Sequence, residues 1–172
     1  NEVLVSLIEK ISKKGNTLVL YSKIAHGDFL LKLLIKKKTS LEIDSFEIIK
    51  EIKSISKLDK ERKYFIKTPL LLEEKDDAII LATLKTFSTG INVKKLHSLV
   101  LASSTKSEIT IGQSIGRIMR LHRSKESVTV YDIVDCMLGK RGKENYFYKH
   151  FKERFGEYSE AGYPIDEIAL AL

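Results

Sequence analysis

Two arginines and a glutamine recur at helical spacing in the stretch QSIGRIMRLHR, residues 113 to 123. At ~100° per residue, Gln113, Arg117 and Arg120 fall within a wedge of roughly 60° on a helix. Arginine stays charged at physiological pH and its planar fork fits phosphate oxygens, so this pair is suited to stabilising charge during phosphoryl transfer. A surface helix with solvated arginines remains the alternative for this stretch taken alone.

The other side of the same predicted helix is apolar. Gly116 lies beside the arginines, where the lack of a side chain leaves room for a ligand. We expect the packing side to consist of Ile111, Ile115, Ile118, Met119 and His122.

A second stretch that could contact phosphate is TFSTGIN, residues 86 to 92. Its hydroxyls, its glycine and the Asn92 amide are neutral donors and small residues of the kind that approach a phosphodiester closely. An ordinary turn is the alternative, because Ser-Thr-Gly is common turn chemistry. The residues concerned are Thr86, Ser88, Thr89, Gly90 and Asn92.

The elements that must position these stretches alternate between strands and helices. Helices are predicted over 1–13, 24–37 and 58–68, and strands over 16–21, 45–52, 77–83, 97–103 and 127–135. This alternation predicts an α/β fold with an open, mostly parallel sheet and helices on both faces. Such sheets bind ligands at the carboxyl ends of their strands.

The last part of the chain predicts one long helix. Phe147, Phe151 and Phe155 follow each other at i, i+4, i+8 with basic residues between them. We expect this aromatic stripe to dock the helix on the domain, with a base-stacking platform as the alternative. The predicted organisation is therefore a lobe over 1–138 and a helical extension over 139–172 packed on it.

Composition points to a polyanionic partner. The 172 residues carry 30 Lys and Arg against 23 Asp and Glu, a net charge of +7 that suits nucleic acid or a nucleotide. No apolar run approaches the ~18 residues of a membrane helix, so we expect a soluble, cytoplasmic protein that needs no membrane. Because the chain starts at Asn1 with a helix under way, we expect a piece of a longer protein.

Cysteine and histidine usage disfavours two other classes of chemistry. The single cysteine, Cys136, cannot form an intrachain disulfide. The four histidines, at 26, 97, 122 and 150, are scattered and lack the spacing of metal ligands. We therefore expect neither redox nor zinc chemistry.

The loop at 86–92, the strand at 97–103 and the helix that contains QSIGRIMR together resemble the C-terminal, RecA-like motor lobe of superfamily-two helicases. The resemblance covers 77–135, from DAIILATLKTFSTGIN through QSIGRIMR to VYDIVD, and extends to 16–37, where NTLVLYSKIAHGDFLLKLL is similar to the first strand and helix of the lobe. In that family the loop corresponds to motif V and the Q-x-x-G-R-x-x-R helix to motif VI. Within the family, the sequence is most similar to the phage UvsW-type branch, a resemblance that implies an ATP-dependent DNA helicase with a role in DNA repair or recombination.

The resemblance also implies roles for individual residues. Arg120 would be the arginine finger of an ATP site, Arg117 would support the γ-phosphate, and Gln113 would sense it or orient the attacking water. The remaining implied positions fall into two sets: Gly90, Asn92 and Gly116 at the ATP cleft, and Thr83, Ser88, Thr89 and Ser22 on the nucleic-acid backbone. The strand bound would be single- or double-stranded nucleic acid, with DNA preferred.

Two features depart from a complete helicase. LEIDSFEIIKEIKSISKLDKER, residues 41 to 62, has no glycine for the usual Ser/Gly turn, which Ser54 or Ser56 would replace. The chain also lacks G-x-x-x-x-G-K-[ST] and a strand-terminal Asp-Glu pair. ATP and Mg²⁺ would therefore be held mainly by an N-terminal RecA-like lobe of the same polypeptide, and the chain alone is expected to be inactive.

Two other functions remain open at this point. A catalytically silent nucleic-acid-binding module would keep the fold without a motor partner. A doubly wound domain unrelated to helicases would bind a nucleotide or another small molecule without a partner lobe.

Overall fold

The computed structural model describes residues 2–40, 48–50, 76–84, 94–103, 108–120, 122–135 and 144–169. Helices and strands alternate along this part of the chain. Their bounds are α1 (Glu2–Ser12), β1 (Thr17–Tyr21), α2 (Ile24–Ser40), β2 (Ile48–Lys50), β3 (Ile79–Thr83), β4 (Ser98–Leu101), α3 (Glu108–Ile118), β5 (Thr129–Asp132) and α4 (Tyr146–Glu160).

All five strands pair in parallel in one sheet, in the order β2-β3-β1-β4-β5. The central strand β1 is buried along its whole length. Its sequence, TLVLY, is apolar on both faces because a parallel sheet is covered on both sides. The predicted α/β fold with a mostly parallel sheet is confirmed.

Alternate residues of β1 pack into two separate hydrophobic clusters, one on each face of the sheet. Leu18 and Leu20 face a cluster that includes the inner side of α3 and the partly buried Tyr158 of α4. Val19 and Tyr21 face the opposite cluster, which α1 and α2 complete. Successive side chains of a strand point to opposite faces, so α1 and α2 cover one face of the sheet and α3 covers the other.

Hydrogen bonds from Asn16 connect the amino ends of β1, β3 and β4. Its buried side chain accepts from the Ala78 N–H (2.9 Å) and donates to the Lys95 carbonyl (3.0 Å). Its own carbonyl accepts from the N–H groups of His97 (2.9 Å) and Ser98 (3.2 Å). The asparagine amide can both accept from one buried backbone group and donate to another, which explains a polar side chain next to an apolar strand.

Helix α2 approaches β1 closely at Gly27. A Cβ built there would lie 2.2 Å from the Cζ atom of Tyr21, whose ring is fully buried. The helix can therefore lie against this ring only because residue 27 has no side chain.

The predicted bounds agree with the structure for β1, β3, β4 and β5 within one to three residues. Helix α2 continues to Ser40, three residues beyond the prediction, and only 48–50 of the predicted strand 45–52 are described. The predicted helix over 58–68 and the residues Ser54 and Ser56 lie outside the described residues. The division at 138/139 stays a prediction.

Candidate functional site

Helix α3 holds the candidate residues between a fixed inner side and an exposed outer side. Ile111, Ile115 and Ile118 are buried in the core, as predicted. Gln113 and Gly116 are exposed on the outer side, and Arg117 is half-buried. A Cβ added at Gly116 would meet no atom within 4 Å, so the surface beside the arginines is open.

The helix ends earlier than the sequence predicted. It stops at Ile118, and Arg120 lies in the following turn, where its N–H donates to the Arg117 carbonyl (3.4 Å). Met119 is 50% exposed, so its assignment to the packing side was wrong. His122 was also assigned to that side and instead forms a β-bridge with Lys125, because the chain turns back here toward β5.

Lys125 fixes the turn that carries Arg120. Its ammonium donates to the carbonyl of Ile118, the last residue of α3, and to the carbonyl of Leu96 (2.9 Å), just before β4. A cation at the end of a helix satisfies carbonyls that have no partner within the helix and interacts favourably with the helix dipole. Burial lowers the pKa of Lys125.

Ser124 joins the same turn to two histidines. Its hydroxyl lies 2.7 Å from His122 Nδ1 and 3.3 Å from His97 Nε2. The His97 ring packs against Gly15, where a Cβ would lie 2.4 Å from the ring Cγ atom. Burial is the main cause that lowers the pKa of His97, whose buried Nδ1 atom has no hydrogen-bond partner among the described residues.

These contacts place the arginines on the side of the sheet where the strands have their amino ends, called here the amino edge. Lys125 ties the end of α3 to Leu96, which precedes β4, whereas Ser22 and Thr83 lie at the carboxyl ends of β1 and β3. A strand of this length spans ~16 Å, so the two groups occupy opposite edges. Ser22 and Thr83 therefore lie at the carboxyl ends of the strands, where ligands were expected, whereas the arginines lie at the amino ends, because α3 runs back along the sheet before they occur.

The carboxyl edge also carries a residue that the sequence reasoning missed. The Ser22 N–H donates to the Ser103 hydroxyl (3.2 Å), which lies 3.3 Å from His26 Nδ1. Ser22 is exposed, whereas Thr83 is buried at 6% exposure. The signal for Ser103 was available, since it follows β4 as Ser22 follows the neighbouring strand β1.

Four other predicted site residues lie outside the described residues. They are Ser88 and Thr89 of the predicted nucleic-acid contact, and Gly90 and Asn92 of the predicted ATP cleft. Their roles stay predictions.

The docking side of helix α4 is shifted around the helix from the predicted phenylalanine stripe. Phe147 is 48% exposed, whereas His150 and Arg154 are buried. Arg154 donates to both carboxylate oxygens of Asp132, at the end of β5, at 2.8 Å, and the Tyr158 hydroxyl donates to Oδ2 at 3.1 Å. The phenylalanine stripe lies ~60° away around the helix, and Phe151 and Phe155 are half-buried there, so the stripe borders the docking side whose centre is the buried ion pair.

The described residues also bear on two other classes of function. No three His, Cys, Asp or Glu residues among them lie together in a way that would hold a metal ion. None of the helices in the same part of the chain is long and apolar enough to cross a membrane.

Comparison with known proteins relates this arrangement to a phage helicase. No protein-family profile matches the sequence. The ATP-dependent DNA helicase uvsW of Enterobacteria phage T4 is 32% identical over an alignment that covers 93% of this chain. The chain is homologous to this helicase. It spans 32% of the length of the phage protein.

Solved structures agree with this relationship. The crystal structure of T4 UvsW matches 92% of this chain and 32% of its own chain, with a TM-score of 0.67 and 31% identity. Dbp5 of S. cerevisiae, bound to RNA and ADP BeF3, matches 92% of this chain and 36% of its own, with a TM-score of 0.56 and 13% identity. The chain therefore has the fold of a RecA-like helicase lobe.

Proposed function

We propose that the chain is the C-terminal motor lobe of an ATP-dependent DNA helicase or translocase. One observation carries the proposal: Gln113, Arg117 and Arg120 succeed each other along the outer side and end of a helix whose inner side is fixed in the core. The homology to the phage helicase supports the assignment of this helix to a motor. By the same homology, we propose a role in DNA repair or recombination.

In this proposal the arginines act on the phosphate end of ATP. Arg120 is the arginine finger, Arg117 supports the γ-phosphate, and Gln113 senses it or orients the attacking water. A guanidinium in such a position neutralises charge that develops on the transferring phosphoryl group. The network of Lys125, Ser124 and His97 would hold Arg120 in place, which matters because catalytic groups lose effect when misplaced by about 1 Å.

The described residues fit the phosphates of ATP better than they fit its metal ion. Two arginines and the open surface at Gly116 suit phosphate oxygens, whereas no carboxylate cluster suited to Mg²⁺ occurs among these residues. We therefore assign Mg²⁺ and most of the ATP contacts to a preceding RecA-like lobe, with Gly90, Asn92 and Gly116 completing the cleft from this side. Hydrolysis of bound ATP supplies the free energy for movement.

Nucleic acid would be bound at the other edge of the sheet. Ser22, Thr83, Ser88 and Thr89 are the proposed contacts to the backbone, and hydroxyls of this kind position a strand without reading its sequence. Closing of the two lobes would draw the arginines to the nucleotide, and reopening would shift the grip on the strand. The proposed location of this motor is the cytoplasm.

A non-catalytic nucleic-acid-binding module with a helicase-like fold is the second candidate. The absence from this sequence of G-x-x-x-x-G-K-[ST] favours it, since the chain alone lacks the phosphate cradle. Such a module would bind nucleic acid without turning over ATP.

ATP turnover by the native-length protein distinguishes the two candidates. Phosphate release is measured at rising concentrations of a single-stranded DNA and of an RNA of the same sequence. The motor proposal expects turnover that increases with DNA and saturates, with DNA the better activator. Strand binding without any ATP turnover would contradict the motor and support the module.

A further inference from the structure

Five lysines gather where α1 and α2 end, on the opposite face of the sheet from α3. Lys10 lies in the last turn of α1 and is followed by Lys13 and Lys14, and Lys36 and Lys37 lie near the end of α2. Lys10, Lys14 and Lys36 are exposed, and the Lys13 side chain is 56% exposed. We call these five residues the α1–α2 lysine cluster.

Contacts from Lys37 bring the two helix ends together. Its ammonium lies 2.8 Å from a carboxylate oxygen of Glu9 and donates to the Ser6 hydroxyl at 2.8 Å. Helix α1 leads directly into the amino end of β1, and α2 starts from the carboxyl end of that strand. Both helices therefore run toward the amino edge of the sheet, and their lysine-bearing ends lie side by side.

The charge of the cluster is only partly neutralised within the two helices. Glu9 is buried and already paired, since its hydrogen bond with Lys37 lowers its pKa. Glu2 and Asp28 occur near the starts of their helices, at the other end. Two helix C-termini contribute about −0.5 each, so five lysines and one carboxylate leave about +3.

The described segment that carries α4 does not share this excess. Residues 2–40 contain eight lysines and three acidic residues, a net +5, whereas residues 144–169 contain three basic and six acidic residues, a net −3. The exposed aromatic residues of α4 therefore belong to an acidic segment, which argues against a nucleic-acid platform there. The positive surface among the described residues is concentrated on α1 and α2.

We propose that the α1–α2 lysine cluster is a second nucleic-acid contact, which binds the phosphate backbone of duplex DNA irrespective of sequence. The cluster lies on the face away from Arg117 and Arg120 and at the edge away from Ser22 and Thr83. A duplex carries one negative charge per ~1.7 Å of its axis, which suits several ammonium groups within one or two helical turns. Such a contact would hold the duplex outside the cleft while the strand contacts cycle.

Salt-dependent DNA binding tests this surface directly. The affinity of the chain for a fluorescein-labelled duplex is measured by anisotropy across a range of NaCl concentrations. The double variant Lys10→Gln/Lys13→Gln is compared with Lys149→Gln/Lys152→Gln. The pairs are matched, since each has i, i+3 spacing and includes one lysine ion-paired to a carboxylate, Glu9 in the first case and Glu144 in the second.

The proposal expects a large difference between the two variants. Removal of two phosphate contacts makes the slope of log K against log salt shallower by about 1.8, which corresponds to a roughly 60-fold loss of affinity at 0.1 M salt. The Lys149/Lys152 variant should bind as the wild type does. Unfolding midpoints of both variants establish that the fold is retained, and Lys14→Gln, which keeps the Lys13–Glu9 pair, provides a second variant with a smaller loss in the same direction.

Two results would overturn the proposal. One is an equal loss, or no loss, in the two double variants, which would make the binding a property of net charge alone. The other is binding of a polyglutamate peptide as tight as that of the duplex and equally sensitive to Lys10→Gln/Lys13→Gln, which would assign the surface to acidic proteins. Neither result depends on Arg120 or on ATP turnover, so the test is independent of the proposed motor function.

Discussion

The ion pair between Asp132 and Arg154 makes the docking of α4 open to a quantitative test. Both side chains are almost completely buried, with 10% and 4% exposure, and two hydrogen bonds of 2.8 Å join them. The substitution Asp132→Asn keeps the shape of the side chain but leaves the Arg154 guanidinium buried without its counter-charge. An uncompensated buried charge is far more costly than a missing surface ion pair.

The expected loss follows from this burial. Removal of one partner of a buried pair typically lowers the free energy of unfolding by about 3–5 kcal/mol. For a domain of this size, each kcal/mol lowers the unfolding midpoint by about 2–4 °C, so the midpoint should fall by about 6–20 °C. The Tyr158 hydroxyl, which donates to Asp132, retains an acceptor in the asparagine amide and limits the loss.

Circular dichroism during thermal and urea unfolding gives the measurement. Phe147→Ala is the control, since Phe147 lies on the same helix but is 48% exposed, and its removal should cost well under half as much. The double variant Asp132→Asn/Arg154→Met should recover most of the loss, because no buried charge is left unpaired. A smaller effect from Asp132→Asn than from Phe147→Ala would refute this reasoning and show that the aromatic stripe holds α4.

Three further substitutions test the packing and the site. Gly27→Ala should lower the free energy of unfolding in urea by about 1–3 kcal/mol, since its methyl group would overlap the Tyr21 ring; unchanged stability would contradict the close contact. Gly116→Ala should stabilise α3 by up to about 1 kcal/mol and yet reduce ATP turnover. The control Gly156→Ala should give the same stabilisation in α4 without reducing turnover. Equal ATP turnover in the two variants would contradict the assignment of Gly116 to the ATP cleft. Because burial lowers the pKa of His97 in the folded state, unfolding is favoured as the pH falls below the ordinary histidine pKa. The stability measured by thermal unfolding should therefore decrease from pH 7 toward pH 5, and less steeply in His97→Gln. Identical pH profiles would exclude His97 as a source of this pH dependence.

The sequence was sufficient for the fold because its strongest patterns are local. A short, β-rich apolar run such as TLVLY favours a strand covered on both faces, and its alternation with amphipathic helices leaves few arrangements other than a parallel sheet. The inner side of α3 was also predictable, since Ile111, Ile115 and Ile118 repeat at helical spacing.

Contacts between distant segments could not be predicted in the same way. Lys125 lies 29 residues from Leu96, and no periodicity indicates that its ammonium closes the end of α3. Met119 and His122 were wrongly predicted to lie on the packing side of α3, because the helical pattern continues past Ile118, where the helix ends and the backbone turns. In α4 the phenylalanine stripe was the strongest apolar signal, but the buried Arg154–Asp132 pair determines which side docks.

Arg120 is the residue on which the proposed motor function depends most, and ATP turnover of the native-length protein with saturating DNA tests its role most directly. Arg120→Ala is compared with Arg123→Ala, since both arginines are exposed and lie in the same turn after α3. We expect Arg120→Ala to lower kcat by about 10³ or more while ATP binding is retained, as for other arginine fingers, and Arg123→Ala to behave like the wild type. Wild-type kcat in Arg120→Ala, or the same loss in both variants, would contradict the proposal that Arg120 completes an ATP site.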